Sequence, residues 1–493
     1  MARSRTGRWM VAGLALVLAG CATGQAANQS KDKGKGEDKA ALAQGLDPAA
    51  NRDPFPSRYK PEPGGLVALT GATVLTGTGQ RIENGTVILR DGKIEAVGAG
   101  LPVPAGATIV DATGRWITPG VIDMHSHLGV YASPAVKAHS DGNEITDPNT
   151  AQVWAEHSLW PQDPGFERAL RGGVTSLQIL PGSANLFGGR SVTIKNVTAR
   201  NVQEMKFPGA PYGLKMACGE NPKRVYGDKS RAPGSRMANV AGYRKAWIEA
   251  ADYQRKWDAY YKKQKNGGDD GKGPGDPPKR DLQLDTLAGV LRGEILVQNH
   301  CYRADEMSVM LDVAKEFGYK VTAFHHATEA YKIADLLKES GTCTATWAHW
   351  WGFKMEAYDG VPANAAIVHH AGACAVIHSD DETLIQHLNK EAAQAMAEGH
   401  YLGIDIKEEE AIAWITANPA KAIGILDKTG TLEAGKMADV VVWSGNPFSI
   451  YTLADLVYID GVLKHDRAHP PALPRSDFEL GQSGADIFKA GAK

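Results

Sequence analysis

The stretch GVIDMHSHLG, residues 120–129, ends an apolar run with two histidines two positions apart, His125 and His127. Side chains at i and i+2 of a β-strand project from the same face. An extended 121–127 segment therefore offers two imidazoles to one ion. The chain holds 15 histidines, so this spacing arises readily by chance, and its meaning depends on the remaining ligands elsewhere in the chain. Seven further apolar runs lie C-terminal to it: VTSLQIL (174–180), SVTIK (191–195), YGLKMAC (212–218), EILVQNH (294–300), KVTAFHH (320–326), TCTATWAH (342–349) and CAVIHSD (374–380). Helical patterns separate them. Eight strands alternating with helices predict a parallel α/β fold, the (β/α)8 TIM-type barrel, over residues 119–425.

The barrel is flanked by a second texture. Residues 66–100, LVALTGATVLTGTGQRIENGTVILRDGKIEAVGAG, show short β-branched runs broken by Gly-Gln, Asn-Gly and Asp-Gly turn signals. GTLEAGKMADVVVWSG (430–445) and LVYIDGVLKHD (456–466) repeat it near the other end. We expect 65–118 and 426–466 to combine into one discontinuous β-sandwich. Residues 262–280, KKQKNGGDDGKGPGDPPKR, read as a low-complexity surface loop in the fourth crossover, and 467–493 as a C-terminal tail.

The net charge of −2 gives no electrostatic reason to invoke nucleic acid, and no apolar stretch is long enough to span a bilayer. The first residues, MARSRTGRWMVAGLALVLAGCATG, carry a basic start, a short apolar segment and a Leu-Ala-Gly-Cys ending. That is the pattern of a secretory signal, and its ending resembles a bacterial lipobox. The resemblance implies cleavage before Cys21, lipid on its thiol, and a place in the bacterial cell envelope, at the outer membrane facing the periplasm. Residues 22–64 read as a disordered tether rich in charge, Gly and Pro. Cys218, Cys301, Cys343 and Cys374 sit singly in or beside apolar runs and read as buried thiols, with one disulfide conceivable in an oxidising compartment.

Barrel enzymes gather their chemistry at the C-terminal ends of the strands. His125 and His127 lie at the end of the first run, Lys215 in the fourth, His300 ends the fifth, His326 the sixth and Asp380 the eighth. Four imidazoles and a carboxylate suit zinc-like ions, because neutral imidazole is the usual nitrogen ligand of zinc. The neighbours read differently. His325 should face away from His326, in a structural or supporting role, and His378 is expected as a buried hydrogen-bonded histidine. His369 and His370 precede the last strand and are not expected as ligands. Asp123 shares a face with His125 and is a candidate for orienting it. PGSANLFGGR (181–190) lacks the Lys-Ser/Thr of a phosphate loop and reads as a rim loop after the second strand. TWAHWWGF (346–353) reads either as core or as a wall facing substrate.

With these residues in place, the chain resembles the amidohydrolase superfamily over roughly residues 65–465. GVTSLQILPGSANLFGG (173–189), HATEAYKIADLL (326–337) and ITANPAKAIGI (415–425) look like its imidazolonepropionase-like and Xaa-Pro dipeptidase-like members. The resemblance implies two divalent ions, zinc foremost. His125 and His127 would hold one, His300 and His326 the other, with Asp380 beside the first. It further implies a carboxylated Lys215 as the bridge between them, with Glu220 as the competing bridge. The implied activity is hydrolysis of a C–N bond in a dipeptide or N-acyl amino acid. Asp380 would move the proton, and Tyr302, Arg303 or His349 would contact substrate, Tyr302 and His349 also being candidates to hold the oxyanion.

Two departures bear on substrate. Tyr302 stands where the subgroup often has a second histidine, and His325 where it often has glutamate. Opening of a cyclic amide, a one-metal deaminase, and a non-catalytic lipid-anchored binding protein are the rival readings. The expected partners are a small molecule or short peptide, no nucleic acid, and membrane only through the lipid; a homo-oligomer is left open.

Overall fold

The computed structural model describes residues 42–266 and 275–470. The signal segment with Cys21, residues 22–41 and the tail from 471 onward lie outside the described residues. The described chain contains two eight-stranded sheets.

One sheet is assembled from both flanks of the barrel. Its strands are β1 (Leu66–Leu75), β2 (Arg81–Arg90), β3 (Lys93–Ala99), β4 (Thr108–Asp111) and β5 (Trp116–Pro119) before the barrel. The other sheet holds β6 (Val121–Ser126), β7 (Val174–Ile179), β8 (Phe187–Lys195), β9 (Gly213–Ala217), β10 (Leu296–His300), β11 (Val321–His325), β12 (Cys343–Thr346) and β13 (Cys374–Ile377). After the barrel, β14 (Val440–Trp443), β15 (Ala454–Ile459) and β16 (Val462–Asp466) return to the first sheet. Its order is β16-β15-β14-β5-β1-β2-β3, with β4 on β1. The two flanks combine into one continuous hydrogen-bonded sheet, joined where β14 pairs antiparallel with β5. Its inner face forms one apolar cluster that includes Leu69, Val87, Ile117, Val440 and Tyr458.

The second sheet runs β6 to β13 in chain order and is the nearly closed barrel. Strands such as β6, β7 and β9 are buried along their whole length, as strands covered on both faces must be. Its two edges approach at the rim, where the Asp380 N–H donates to the His125 carbonyl at 3.1 Å.

The third barrel strand departs from the expected parallel order. β8 pairs antiparallel with both β7 and β9. The reason is covalent: residues 180–186 are too few for the crossover of a dozen or more residues that a parallel return requires. The chain instead turns back at the rim, which places the Leu180 and Pro181 carbonyls beside the strand ends that carry the histidines. Gly189 of β8 has φ +113, and a Cβ there would lie 2.3 Å from the Val153 carbonyl oxygen, so only glycine fits.

Three further expectations are corrected. Residues 42–64, expected within a disordered tether, pack on the barrel from Gly45 onward. Ser57 Oγ donates to the Lys206 carbonyl at 2.6 Å, and Asp53 lies 2.9 Å from the buried Lys206 ammonium. Composition gives little sign of this because polar bonds hold the segment together with a few isolated apolar contacts, such as Phe55 against Trp154 and His157. Residues 262–280, expected as one loop, begin inside the helix Arg236–Lys265, and Arg280 at their end pairs with Asp285 at 2.7 Å. Residues 267–274 lie outside the described residues. The cysteines are paired, as Cys218–Cys301 and Cys343–Cys374, with Cα atoms 5.2 and 4.5 Å apart. Each pair spans neighbouring strands: Cys343 and Cys374 are register partners in β12 and β13, and Cys218 and Cys301 come directly after the ends of β9 and β10. Sequence separations of 83 and 31 hide that adjacency.

Barrel and flanking sheet are locked by one buried cation. Lys195, the last residue of β8, reaches Asp439 Oδ1 and Asp460 Oδ1, both at 2.9 Å. With two carboxylates around it, this fully buried ammonium is compensated rather than stranded.

Candidate metal centre

Six side chains converge at the C-terminal rim. His125 Nε2 and His127 Nε2 are 3.3 Å apart, and each is 3.1 Å from Asp380 Oδ1. Ligands at about 2.0–2.1 Å from a tetrahedral ion stand about 3.3 Å from one another, so this triangle has the size of one face of a coordination polyhedron. Lys215 Nζ lies 3.5 Å from His125 Nε2 and donates to the Pro181 carbonyl at 2.9 Å. His326 Nδ1 faces the other Asp380 oxygen at 3.8 Å, and the His300 ring stands 4.7 Å from the His326 ring.

The protonation pattern can be derived from the bonds behind the ligands. The Gln298 amide nitrogen donates to the Ala422 carbonyl at 3.0 Å, which leaves its Oε1 as an acceptor facing His325 Nε2 at 2.8 Å. His325 therefore carries its proton on Nε2, and its bare Nδ1 accepts from His125 Nδ1 at 2.7 Å. That leaves the His125 Nε2 lone pair free toward the rim. His127 Nδ1 donates to the Leu180 carbonyl at 2.8 Å, freeing its Nε2 in the same way. Burial pushes the imidazoles of His125, His300, His325 and His326 well below their ordinary pKa, so these four rings are neutral.

The other groups are tuned by the same enclosure. Burial lowers Lys215 to about 7, opposed only by Asp380, and no carboxylate pairs with it among the described residues. Burial also pushes Asp380 up, but His326, His127 and His378 outweigh it and hold the carboxyl well below the usual range. Asp123, buried beneath, is pushed up to about 7 and accepts from the His125 and Ser379 N–H groups at 3.1 and 3.3 Å. It ties the first and last barrel strands together under the site. His326 and Asp380 both adopt left-handed backbone, φ 60 and 58, a strained conformation for side-chain-bearing residues that clusters at functional sites.

The donor set fits divalent metal. The Nδ1 atoms of His300 and His326 are buried without a hydrogen-bond partner among the described residues, a costly state unless another acceptor of lone pairs sits there. His125, His127 and Asp380 could hold one ion, and His300 with His326 a second. His378 is buried and hydrogen-bonded as expected, its Nε2 accepting from the His326 N–H at 3.3 Å, while its Nδ1 has no partner among the described residues. It forms an alternative ligand group with His125 and His326.

The remaining expected residues divide. Tyr302 stacks on the His326 ring at 5.5 Å, and burial holds its hydroxyl protonated by raising it well above 10. Arg303 turns outward and pairs with Asp305 at 2.9 Å. His349 is tied to Glu391, whose second oxygen accepts from the Ala348 N–H. Glu220 starts the helix Glu220–Gly227 and pairs with Lys354 at 3.1 Å, so its carboxylate is engaged away from the ligand triangle. Ser379, Gln298 and the Leu180 and Pro181 carbonyls also serve the site, and sequence reasoning does not single them out. For Gln298 a signal exists, since it shares a strand face with His300. The carbonyls carry none.

The amidohydrolase family profile matches residues 300–465. The solved structure of an amidohydrolase from Thermotoga maritima is 36% identical, with a TM-score of 0.73, and aligns over 81% of this chain and 100% of that one. Amidohydrolase tasK of Hapsidospora irregularis is 34% identical over 400 residues, 78% of this chain. The chain spans only 40% of that relative's length. An imidazolonepropionase of Mesorhizobium japonicum is 26% identical over 76% of this chain and 89% of its own.

Proposed function

Because the chain belongs to the amidohydrolase family, whose members hydrolyse C–N bonds, we propose that it cleaves the amide of a dipeptide or N-acyl amino acid at a two-metal centre. The observation that carries this is the triangle of His125 Nε2, His127 Nε2 and Asp380 Oδ1, with the Nδ1 atoms of both histidines already committed behind it. Divalent ions held there, zinc foremost, would acidify a water and polarise the scissile carbonyl. Asp380 remains ionised, takes the proton of the attacking water, and returns it to the leaving amine nitrogen. Tyr302 remains protonated and presents its hydroxyl as a donor to the developing oxyanion.

Lys215 serves as the bridge. Its amine would attack carbon dioxide, forming an N–C bond and releasing a proton, and the resulting carbamate would supply an anionic ligand that offsets the metal charge. The support is its complete burial, its place beside His125, and the absence of any carboxylate partner among the described residues. Lys215→Ala should lose activity that short-chain carboxylic acids partly restore by occupying the carbamate's place, measured as turnover against added acetate or propionate. Full activity of Lys215→Ala without added acid would exclude the bridge.

Opening of a cyclic amide is the second reading, favoured by the alignment with the imidazolonepropionase. Metal-loaded protein assayed on dipeptides, N-acyl amino acids and cyclic amides separates the two. Release of free amine from the open-chain amides is expected; cleavage confined to the cyclic amides would replace the first reading with the second. In the cell, we place the chain in the envelope, lipidated on Cys21. The two disulfides suit such an oxidising compartment.

A further inference from the structure

An aromatic surface runs outward from the metal centre without a break. Tyr302 and Trp347 both lie near-parallel to the His326 ring, at 5.5 and 4.7 Å. Trp347 is pinned by its indole N–H to the Ser379 carbonyl at 2.9 Å. Trp350 stands 5.0 Å from Trp347, and Phe353 stands 6.1 Å from both Trp350 and Tyr302. The inner rings are buried, whereas Phe353 is 52% exposed.

The loop carrying this surface is clamped to the site. Lys354 Nζ sits 4.0 Å from the Tyr302 ring centre, pairs with Glu220 at 3.1 Å, and donates to Asn221 Oδ1 at 3.3 Å. The Asn221 amide in turn faces His300 Nε2 at 3.4 Å. The wall is thus continuous with the His300 and His326 rings, and its one cation among the described residues is already paired. An exposed aromatic ring at the outer end of such a wall gains from covering by an apolar group.

We propose that Tyr302, Trp347, Trp350 and Phe353 form the subsite for a large apolar or aromatic side chain flanking the scissile bond, which makes the enzyme selective for such substrates over glycine- or alanine-sized ones. This rests on the amide-hydrolase reading. Continuity with the centre names the occupant, because a side chain attached to the carbon beside the scissile carbonyl or amine must lie within a few ångströms of the ligand rings.

The test compares kcat/KM of the metal-loaded full chain for N-acetyl-phenylalanine and N-acetyl-leucine with that for N-acetyl-alanine and N-acetylglycine. A preference of about tenfold or more for the large side chains is expected from burying that much apolar surface. Phe353→Ala and Trp350→Ala should each cut the preference several-fold, mainly through KM. A second measurement does not need turnover: calorimetric binding of free phenylalanine should be about tenfold tighter than that of alanine, and Phe353→Ala should erase the difference. Discrimination in binding without any amide cleavage would keep the subsite and remove the amide reading. Cleavage or binding without preference, or a preference untouched by both variants, overturns the subsite. So does a change in oligomeric state of Phe353→Ala with selectivity intact, which would assign the surface to a second copy.

Discussion

Asp380→Asn is expected to lower kcat by about two to four decades, the loss typical of removing a general base, while leaving much of the bound metal in place. The substitution conserves shape. An asparagine oxygen can still stand where Oδ1 now lies, 3.1 Å from both His125 Nε2 and His127 Nε2. It cannot accept the proton of the attacking water or deliver it to the leaving amine. The backbone argument points the same way: residue 380 adopts left-handed φ, a conformation asparagine tolerates as well as aspartate does, so the rim should keep its form. Turnover and metal content measured on one preparation provide the check. Near-normal kcat with full metal would take the proton-transfer role away from Asp380. Loss of metal in parallel with kcat would make it chiefly a ligand.

His125→Ala should abolish measurable activity and release metal, because it deletes the ligand on which the arrangement depends. His125 is fully buried, its Nε2 forms part of the triangle, and its Nδ1 is committed to His325. The hole left would also strand His325 Nδ1 without its donor. His300→Ala should lower metal content as well, at the other end of the cluster. The unaltered protein, fully loaded, should contain about two divalent ions per chain by elemental analysis, since the donors exceed what one tetrahedral ion needs. A single tightly bound ion, together with a fully active Lys215→Ala, would refute the two-metal centre and favour a one-metal site of the deaminase kind.

The barrel strands are legible because each carries its own evidence: a short apolar run set off from helical patterns, repeated eight times. The histidines of the candidate site are legible for the same reason, since each stands at the end of such a run and strand ends are where a barrel exposes chemistry. Even the reversal of β8 has a local cue in the short 180–186 connection, which alternation of runs alone passes over. Position in the chain near a rim residue does not fix where Arg303 and Glu220 place their charges. Their long side chains are free to choose the nearest opposite charge, Asp305 and Lys354 respectively. The 42–64 segment misleads because its composition excludes a core of its own but not a polar fit to the barrel's surface.

Periodicity and chain order thus establish the number of strands, the rim that carries the candidate site, and the identity of the six converging side chains. Which atoms of those side chains face one another is set by contacts between residues far apart in the chain. Gln298, His325 and His125 settle a tautomer across three strands; the Pro181 carbonyl reaches Lys215; Cys218 finds Cys301 across 83 residues. The physical reason is that β-propensity and hydrophobic alternation act over a few neighbouring residues. Hydrogen-bond direction, desolvation and ligand spacing act through space, and they acquire values only once the barrel has closed.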